Sequence, residues 1–463
     1  MDKTSQERKL ACFPARILLH FCFSGFNNMN ELKHDRQMKK KRILLIQPEN
    51  REINAFRRRQ FNNFAQITIP YLAAFIDETK YEITLKDEYN QAIPYHQTFD
   101  LAAITVNTPN APHCYDIARR FRENGARVVM GGPHVSLLPE EAEQHCDYLL
   151  TGECEETWPL FLDHFYEETA MKRYDSASPP SLEHLPKPRW DLLKRRTRMM
   201  KAAVFATRGC PYHCRYCNLK QIYHDCFRTR PVEEVIDEIK AICSRFFVFW
   251  DDNFFANRTY ALSLMNALKP VKKKWAAQVT LTDCRDENIL KAAREAGCLY
   301  LFIGLESFFQ SSLKDAGKEI NQVDDYGKII GQIHKHGLMI QAGIIFGFDS
   351  DMPDVFEKTL RKCEETGIDG ATVSLLTPLP GTPLYAELKA ANRLTTASWD
   401  KYNGKTQVVF EPRNMTTEQL LRGYMLFRRK FYSLRSFIRR MKVSHTSPVY
   451  NFVVNLGYWL AGR

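Results

Sequence analysis

Residues 207–217 read Thr-Arg-Gly-Cys-Pro-Tyr-His-Cys-Arg-Tyr-Cys, which sets Cys210, Cys214 and Cys217 in a Cys-x3-Cys-x2-Cys pattern directly after the apolar run 202–206. Three thiolates on one short loop can ligate three irons of a four-iron cluster, leaving the fourth iron open to a small molecule. A structural zinc site wants four ligands at paired spacings. His213 lies inside the loop, but it is adjacent to Cys214 and poorly placed as a fourth ligand. Three core cysteines are a weaker alternative, because Gly, Pro and polar residues surround them. We therefore read the loop as a [4Fe–4S] site with Cys210, Cys214 and Cys217 as metal ligands.

Outward from the loop, apolar runs at 202–206, 246–250, 274–280, 299–303, 338–345 and 370–375 alternate with stretches of helical period. Six such units predict a partial (β/α)6 TIM-like barrel over residues 196–418, with chemistry at the carboxyl ends of the strands. The cysteine loop stands at the first of those ends.

Upstream, residues 38–169 repeat the strand–helix alternation, with strands expected at 42–48, 81–85, 100–106, 127–130 and 148–150. Continuous apolar strands between helices imply an α/β fold with a Rossmann-like, doubly wound parallel sheet. Ligands of such sheets bind at the carboxyl ends of the strands, here residues 105–112, 131–136 and 152–155. Residues 170–195 carry Pro179, Pro180, Pro186 and Pro188 and read as a Pro-rich linker. Residues 1–37 contain an apolar stretch interrupted by Pro14, Arg16 and His20. They read as a disordered extension or a mis-assigned start rather than a signal peptide.

Downstream, residues 419–463 hold nine Lys/Arg and no Asp or Glu, within a net formal charge of +11. Tyr424, Phe427, Phe431, Leu434, Ile438 and Met441 recur at spacings of three and four, the mark of a basic amphipathic helix. Packing of that stripe on the barrel is the favoured reading, with membrane contact second. No nucleic-acid-binding module is present, so nucleic acid is not expected as a partner. A hydrophobic content of 44% and a charged content of 26% indicate a globular chain. No apolar run approaches the roughly 18–20 residues of a membrane-spanning helix, so the chain reads as soluble or peripheral. Ten of the thirteen cysteines are scattered, which suits a reducing cytoplasm.

From about residue 200 to 420 the chain resembles the radical S-adenosylmethionine (SAM) enzymes. In that family the open iron chelates the methionine part of SAM, and an electron from the cluster releases a 5′-deoxyadenosyl radical. The resemblance implies that Tyr216 lies near the adenine and that Asp252 and Asn253, in Phe-Trp-Asp-Asp-Asn, hold the methionine amino group. It implies that Glu306 binds the ribose hydroxyls and that Gly343 and Gly347 flank the adenine. Residues 377–383 resemble a family closing loop. Glu306 as a capping carboxylate and Asp251/Asp252 as an N-cap pair are the plainer alternatives.

The sheet before the barrel resembles the cobalamin-binding domain of one branch of that family. The likeness rests on residues 128–136 (VVMGGPHVS), 152–158 (GECEETW) and the Phe-Asp-x4-Thr segment at 99–105. It implies a cobalamin site at Thr105, Asn107, Gly131, Gly132, His134, Gly152 and Glu153. The glycines would let the backbone approach the ligand closely. No Asp-x-His-x-x-Gly motif is present, so no protein histidine is expected beneath the cobalt. His134 as a structural histidine, and a sheet that merely supports the core, are the alternatives.

The resemblance implies a cobalamin-dependent methyltransferase acting on an unactivated carbon of a small-molecule or lipid-like substrate. One SAM would methylate cobalamin and a second would yield the hydrogen-abstracting radical, with electrons from a reductant such as flavodoxin or ferredoxin. A radical cyclase or ring-rearranging oxidoreductase is the second expectation. A non-catalytic iron–sulfur protein with a vestigial cobalamin domain is the third. The expected location is the cytoplasm, with the tail as the one segment suited to a membrane surface.

Overall fold

The structure, a computed structural model, describes residues 40–53, 66–193 and 202–461. The reading of residues 1–37 falls outside them.

Six parallel strands form the first sheet: β1 (Lys41–Gln47), β2 (Tyr81–Asp87), β3 (Leu101–Thr105), β4 (Arg127–Gly131), β5 (Tyr148–Thr151) and β6 (Arg173–Asp175). Their spatial order is β2-β1-β3-β4-β5-β6. Alternate residues serve opposite faces. Leu44, Ile46, Ala102, Ile104, Val128 and Met130 belong to one core cluster. Ile43, Leu45, Leu101, Ala103 and Val129 belong to the other. Both faces are covered, which is why these strands are apolar without alternation. Strand order reverses between β1 and β3, and the crevice outside a reversal is where such sheets take ligands. The stretch expected to be linker from residue 170 in fact adds β6, which pairs with β5 through Leu149↔Arg173 and Leu150↔Tyr174. Polar side chains at Arg173 and Asp175 hid this three-residue edge strand from a search for apolar runs.

The second sheet holds β7 (Ala202–Val204), β10 (Phe246–Phe249), β11 (Lys274–Val279), β12 (Cys298–Glu306), β13 (Met339–Phe346) and β14 (Gly370–Leu375). They lie in the order β14-β13-β12-β11-β10-β7, all parallel, as a partial barrel whose end strands do not pair. A small antiparallel ladder, β8 (Thr207–Arg208) with β9 (Arg228–Thr229), stands beside it.

The tail forms three helices, Thr417–Phe431, Leu434–Ser444 and Pro448–Ala461, rather than one continuous stripe. Ser433 breaks the run by capping the second helix, accepting from the Ser436 amide. Tyr424, Phe427 and Phe431 are buried as expected, but Leu434 and Ile438 are exposed. Among the described residues, no helix is long and apolar enough to cross a membrane.

Candidate functional site

The β8–β9 ladder, with Thr207 opposite Thr229 and Arg208 opposite Arg228, ties the base of a loop that contains all three cysteines. Buried Asp251 holds the loop's start. Its carboxylate accepts from the Ala206 amide at 3.1 Å, the Thr207 amide at 2.5 Å and the Thr207 hydroxyl at 2.6 Å. Burial pushes the Asp251 carboxyl up to about 7. Asp252 accepts from the Gly209 amide at 3.1 Å, and burial pushes it to about 6. Gly209 itself has φ +88°, and a Cβ there would lie 2.2 Å from the Cys226 carbonyl oxygen. Only glycine allows this turn. Mid-loop, the Arg215 amide donates to the Ala316 carbonyl at 2.9 Å.

Cys210, Cys214 and Cys217 are half-buried free thiols. Burial raises all three, Cys210 to about 11 and Cys217 to about 12. Each sits close enough to another member to affect its titration, so the three share one neighbourhood. Among the described residues, no three His, Cys, Asp or Glu groups converge on a single metal ion. A cluster spreads its thiolates over several irons and does not need them to converge on one ion. His213 turns away: its Nε2 pairs with Asp225 at 2.6 Å on the exposed side. The thiols are thus the donors that fit a cluster.

A buried charged group flanks them. Lys318 Nζ donates to Glu306 at 2.7 Å with both side chains under 10% exposed. Burial alone would lower Lys318, but Glu306 and the thiols of Cys214 and Cys210 leave it raised. Partly buried Tyr216 lies close enough to Glu306 and Cys214 that burial and both groups raise its hydroxyl's pKa. Glu306 adopts φ +64°, an uncommon backbone state for a non-glycine residue. The strand reading thus finds Tyr216 and Glu306 together beside the thiols, and it missed Lys318, which lies in no recognisable motif.

The other SAM-side residues divide. Asp252 lies against the loop. Asn253 is fully buried, donates to Asp283 at 3.1 Å, and its Oδ1 has no hydrogen-bond partner among the described residues. The glycines expected near the adenine pack on protein. A Cβ at Gly343 would meet Phe302 at 3.3 Å. Gly347 has φ +113°, and a Cβ there would meet Leu420 at 2.9 Å and Phe410 at 3.1 Å. Gly347 is therefore needed where the chain passes under the helix Thr417–Phe431.

A cavity of about 500 Å³ joins the two sheets. On one side stand Thr105, Asn107, Gly131, Gly132, Gly152 and Glu153; on the other stand Thr207, Arg208, Trp250 and Asp252. Six of the seven residues expected around cobalamin line it. His134 does not. Its ring is buried, with Nδ1 3.3 Å from the Thr108 hydroxyl and Nε2 3.1 Å from the Tyr115 hydroxyl. It packs 5.6 Å from the Trp399 ring, and Trp399 Nε1 donates to Glu141 at 3.0 Å. Burial lowers its pKa. It serves the contact between barrel and sheet domain. The glycines also have a second reason: a Cβ at Gly132 would lie 2.8 Å from the Val106 carbonyl oxygen, and one at Gly152 would lie 2.8 Å from Ser176 Cβ. Their small size serves the turns after β4 and β5.

The cavity's polar groups include Gln47, Thr105, Asn107, Ser136 and Thr157, with Met130, Leu150, Phe205 and Trp250 as apolar walls. Neutral amides and hydroxyls beside flat apolar surface suit an amide-armed macrocycle such as cobalamin. Among the described residues, no histidine lines it. Glu153 is fully engaged: it accepts from Arg208 at 2.5 Å and from Arg228. Arg208 also reaches Glu155 at 2.6 Å, and Tyr71 donates to Glu155 at 2.7 Å. Burial opposes ionisation of Glu155, but Arg208 and Tyr71 outweigh it and hold its carboxyl low. The arginines of β8 and β9 were not singled out in sequence, since a lone Arg before Gly-Cys carries no spacing signal.

Fold and loop together define an iron–sulfur enzyme built on a partial α/β barrel with a doubly wound sheet at its mouth. The family model of the Radical SAM superfamily matches residues 204–384. That superfamily uses SAM and an iron–sulfur cluster. The chain is 29% identical over 441 residues to the bacteriochlorophyllide d C-12(1)-methyltransferase of Chlorobaculum tepidum, covering 90% of this chain and 94% of that protein. It is 26% identical over 371 residues to the anaerobic magnesium-protoporphyrin IX monomethyl ester cyclase of Cereibacter sphaeroides, covering 72% and 60%. Its fold matches the radical SAM methyltransferase TsrM of Kitasatospora setae, solved with cobalamin and a [4Fe–4S] cluster. The TM-score is 0.66 at 15% identity, over 84% of this chain and 88% of that one.

Proposed function

We propose that the chain is a cobalamin-dependent radical SAM methyltransferase acting on an unactivated carbon. The observation that carries this reading is the shared cavity, which runs from the carboxyl ends of the first sheet to Asp252 and Arg208 beside the cysteine loop. Likeness to a methyltransferase over nearly the whole of both chains supports it. Bound there, cobalamin would supply a transferable methyl group, and the cluster with SAM would supply a 5′-deoxyadenosyl radical. A low-potential carrier such as flavodoxin or ferredoxin would deliver the electrons. The chain's own part is to hold these groups in register: Cys210, Cys214 and Cys217 the cluster, the Tyr216–Glu306 side of the loop the nucleoside, and Thr105, Asn107 and the turns at Gly131 and Gly152 the macrocycle.

A second cavity of about 510 Å³ adjoins the first through Asn107, Pro133, Ile222 and Tyr223. Tyr216, Ile345, Leu375, Leu376 and Leu379 line it with Ser374, Thr377 and Asn403, and among the described residues no Asp, Glu, Lys or Arg does. A formal charge placed there would find no opposite charge among the described lining residues. The reacting part of the substrate is therefore neutral and largely apolar.

The experiment is anaerobic reconstitution with iron, sulfide, hydroxocobalamin, SAM and reductant, with extracts searched by mass spectrometry. Methylation requires a product heavier by one methylene, with both 5′-deoxyadenosine and S-adenosylhomocysteine formed. A cyclase is the second reading, favoured by the likeness to the cyclase of C. sphaeroides. Substrate consumed with 5′-deoxyadenosine but no S-adenosylhomocysteine and no added methylene would select it.

A further inference from the structure

The last two helices are amphipathic the wrong way round for a water-facing surface. Leu434–Ser444 buries Ser436, Arg440 and Ser444, and Pro448–Ala461 buries Asn451 and Asn455. These polar groups close on Asp369, at the amino end of β14. Thr446 Oγ1 donates to its carboxylate at 2.6 Å and Asn451 Nδ2 at 2.9 Å. His334 approaches the same carboxylate at 3.0 Å. Arg440 donates to the Ile368 and Asp369 carbonyls at 2.8 and 2.7 Å and to Asn455 Oδ1 at 2.9 Å. Gly367, at φ +71°, gives the second helix room: a Cβ there would lie 2.8 Å from the Ser444 amide nitrogen.

Tyr458 and Trp459 pack on the core, but several other apolar residues of the pair face outward. Leu434 is 71% exposed, Ile438 46%, Val449 69%, Phe452 54% and Val453 40%. At 3.6 residues per turn, 434 and 438 share one stripe, and 449, 452 and 453 another. The rings of Phe437 and Phe452, 6.3 Å apart, join the two stripes into one patch. Exposed Arg435, Arg439 and Lys442 stand along its edge. Arg435 and Lys442 form no ion pair with any described residue, while Arg439 pairs with Glu364 at 2.8 Å.

A contiguous apolar patch on a soluble surface calls for a cover. Charge identifies it. The exposed charges of these two helices are Arg435, Arg439 and Lys442, and neither helix carries an acidic residue, so a second copy laid on this patch would bring like charges together. An anionic lipid surface satisfies both features, taking apolar side chains into the acyl boundary and basic ones among the headgroups. We propose that the helix pair docks the enzyme on an anionic bilayer surface. Asp369 lies at the amino end of β14, whereas the cysteine loop follows the carboxyl end of β7. The patch is thus an anchor set apart from the reaction site.

The test is flotation of the full-length, cluster-loaded protein with phosphatidylcholine vesicles, with and without phosphatidylglycerol. The protein is expected to float with the anionic vesicles and to bind about tenfold or more weakly to pure phosphatidylcholine or in high salt. Leu434→Glu/Phe452→Glu should abolish flotation while iron content and SAM cleavage stay unchanged. Arg435→Glu/Lys442→Glu should weaken binding to anionic vesicles alone. A wild-type protein that stays in solution, or flotation untouched by both variants, would overturn the proposal. So would a wild-type dimer in sedimentation that Leu434→Glu/Phe452→Glu converts to monomer, since the patch would then be a protein interface.

Discussion

Cys214 and His213 are neighbours in the chain, yet the histidine faces Asp225 at 2.6 Å while the thiol faces Lys318 and Tyr216. His213→Ala should therefore leave iron content and the visible absorption of the reconstituted protein unchanged, whereas Cys214→Ala should remove both. Loss of iron in the histidine variant would count against a three-cysteine site. Lys318 and Glu306 make a sharper case. Both are buried, and removing one leaves the other uncompensated, at a cost of about 3–5 kcal/mol. Lys318→Met should lower unfolding stability by that order, and Lys318→Met/Glu306→Gln should recover part of it in urea titrations. Because Lys318 sits beside Cys210 and Cys214, losing its positive charge should move the cluster's reduction potential to more negative values. An unchanged potential would mean that the lysine only packs. At this scale the ligands were legible because cysteine spacing is itself the chemistry. Lys318, Arg208 and Arg228 were not, because their partners Glu306 and Glu153 are distant in sequence or on another domain.

The strands of both sheets were legible because burial on both faces writes unbroken apolar runs. β6 was not, because an edge strand needs no such run. The tail was legible in content, and its direction was read correctly up to Phe431 but not for Leu434 and Ile438 beyond it. Its stripe predicts packing only if the core offers apolar surface, whereas the barrel offers Asp369 and a row of carbonyls that polar side chains satisfy better. Behind β14 a half-buried lysine carries a pH signature. Lys405 donates to the Val373 carbonyl and, at 3.0 Å, to Ser374 Oγ, and burial together with Arg428 lowers it from 10.5 to about 7. Below about pH 7 the folded state carries the full cost of the buried charge. Between about 7 and 10.5 the unfolded chain keeps a proton that the folded one has lost, so this group makes stability rise with pH. Thermal unfolding of wild type and Lys405→Met at pH 6.5 and pH 9, on the order of two units apart, measures it. The variant should be relatively more stable at the lower pH, with the gap closing at the higher. A constant gap would place the lysine's pKa outside this window.

At the scale of the molecule, the two sheets meet through charge as well as through the shared cavity. Arg208 leads into Gly209-Cys210 and is held by Glu153 and Glu155 of the first domain, and Arg228 on the paired strand reaches the same Glu153. Glu153 stands immediately after the turn that follows β5 and lines the cavity. One carboxylate therefore touches both the ladder that closes the cluster loop and the expected macrocycle site. If loop order and cavity shape depend on the same buried ion pairs, occupancy of one site must alter affinity at the other, and by the same factor in each direction. Hydroxocobalamin should then bind more tightly to cluster-loaded protein than to the iron-free chain in absorbance titrations. Arg208→Met and Glu153→Gln should each weaken that binding, and the double variant should lose less than the sum, because each single change strands a buried charge. Coupling energies for such buried pairs run to about 0.5–3 kcal/mol. Strict additivity would instead mean that the two domains are joined only by shape, with the arginines serving the loop and the glutamates serving the cavity independently.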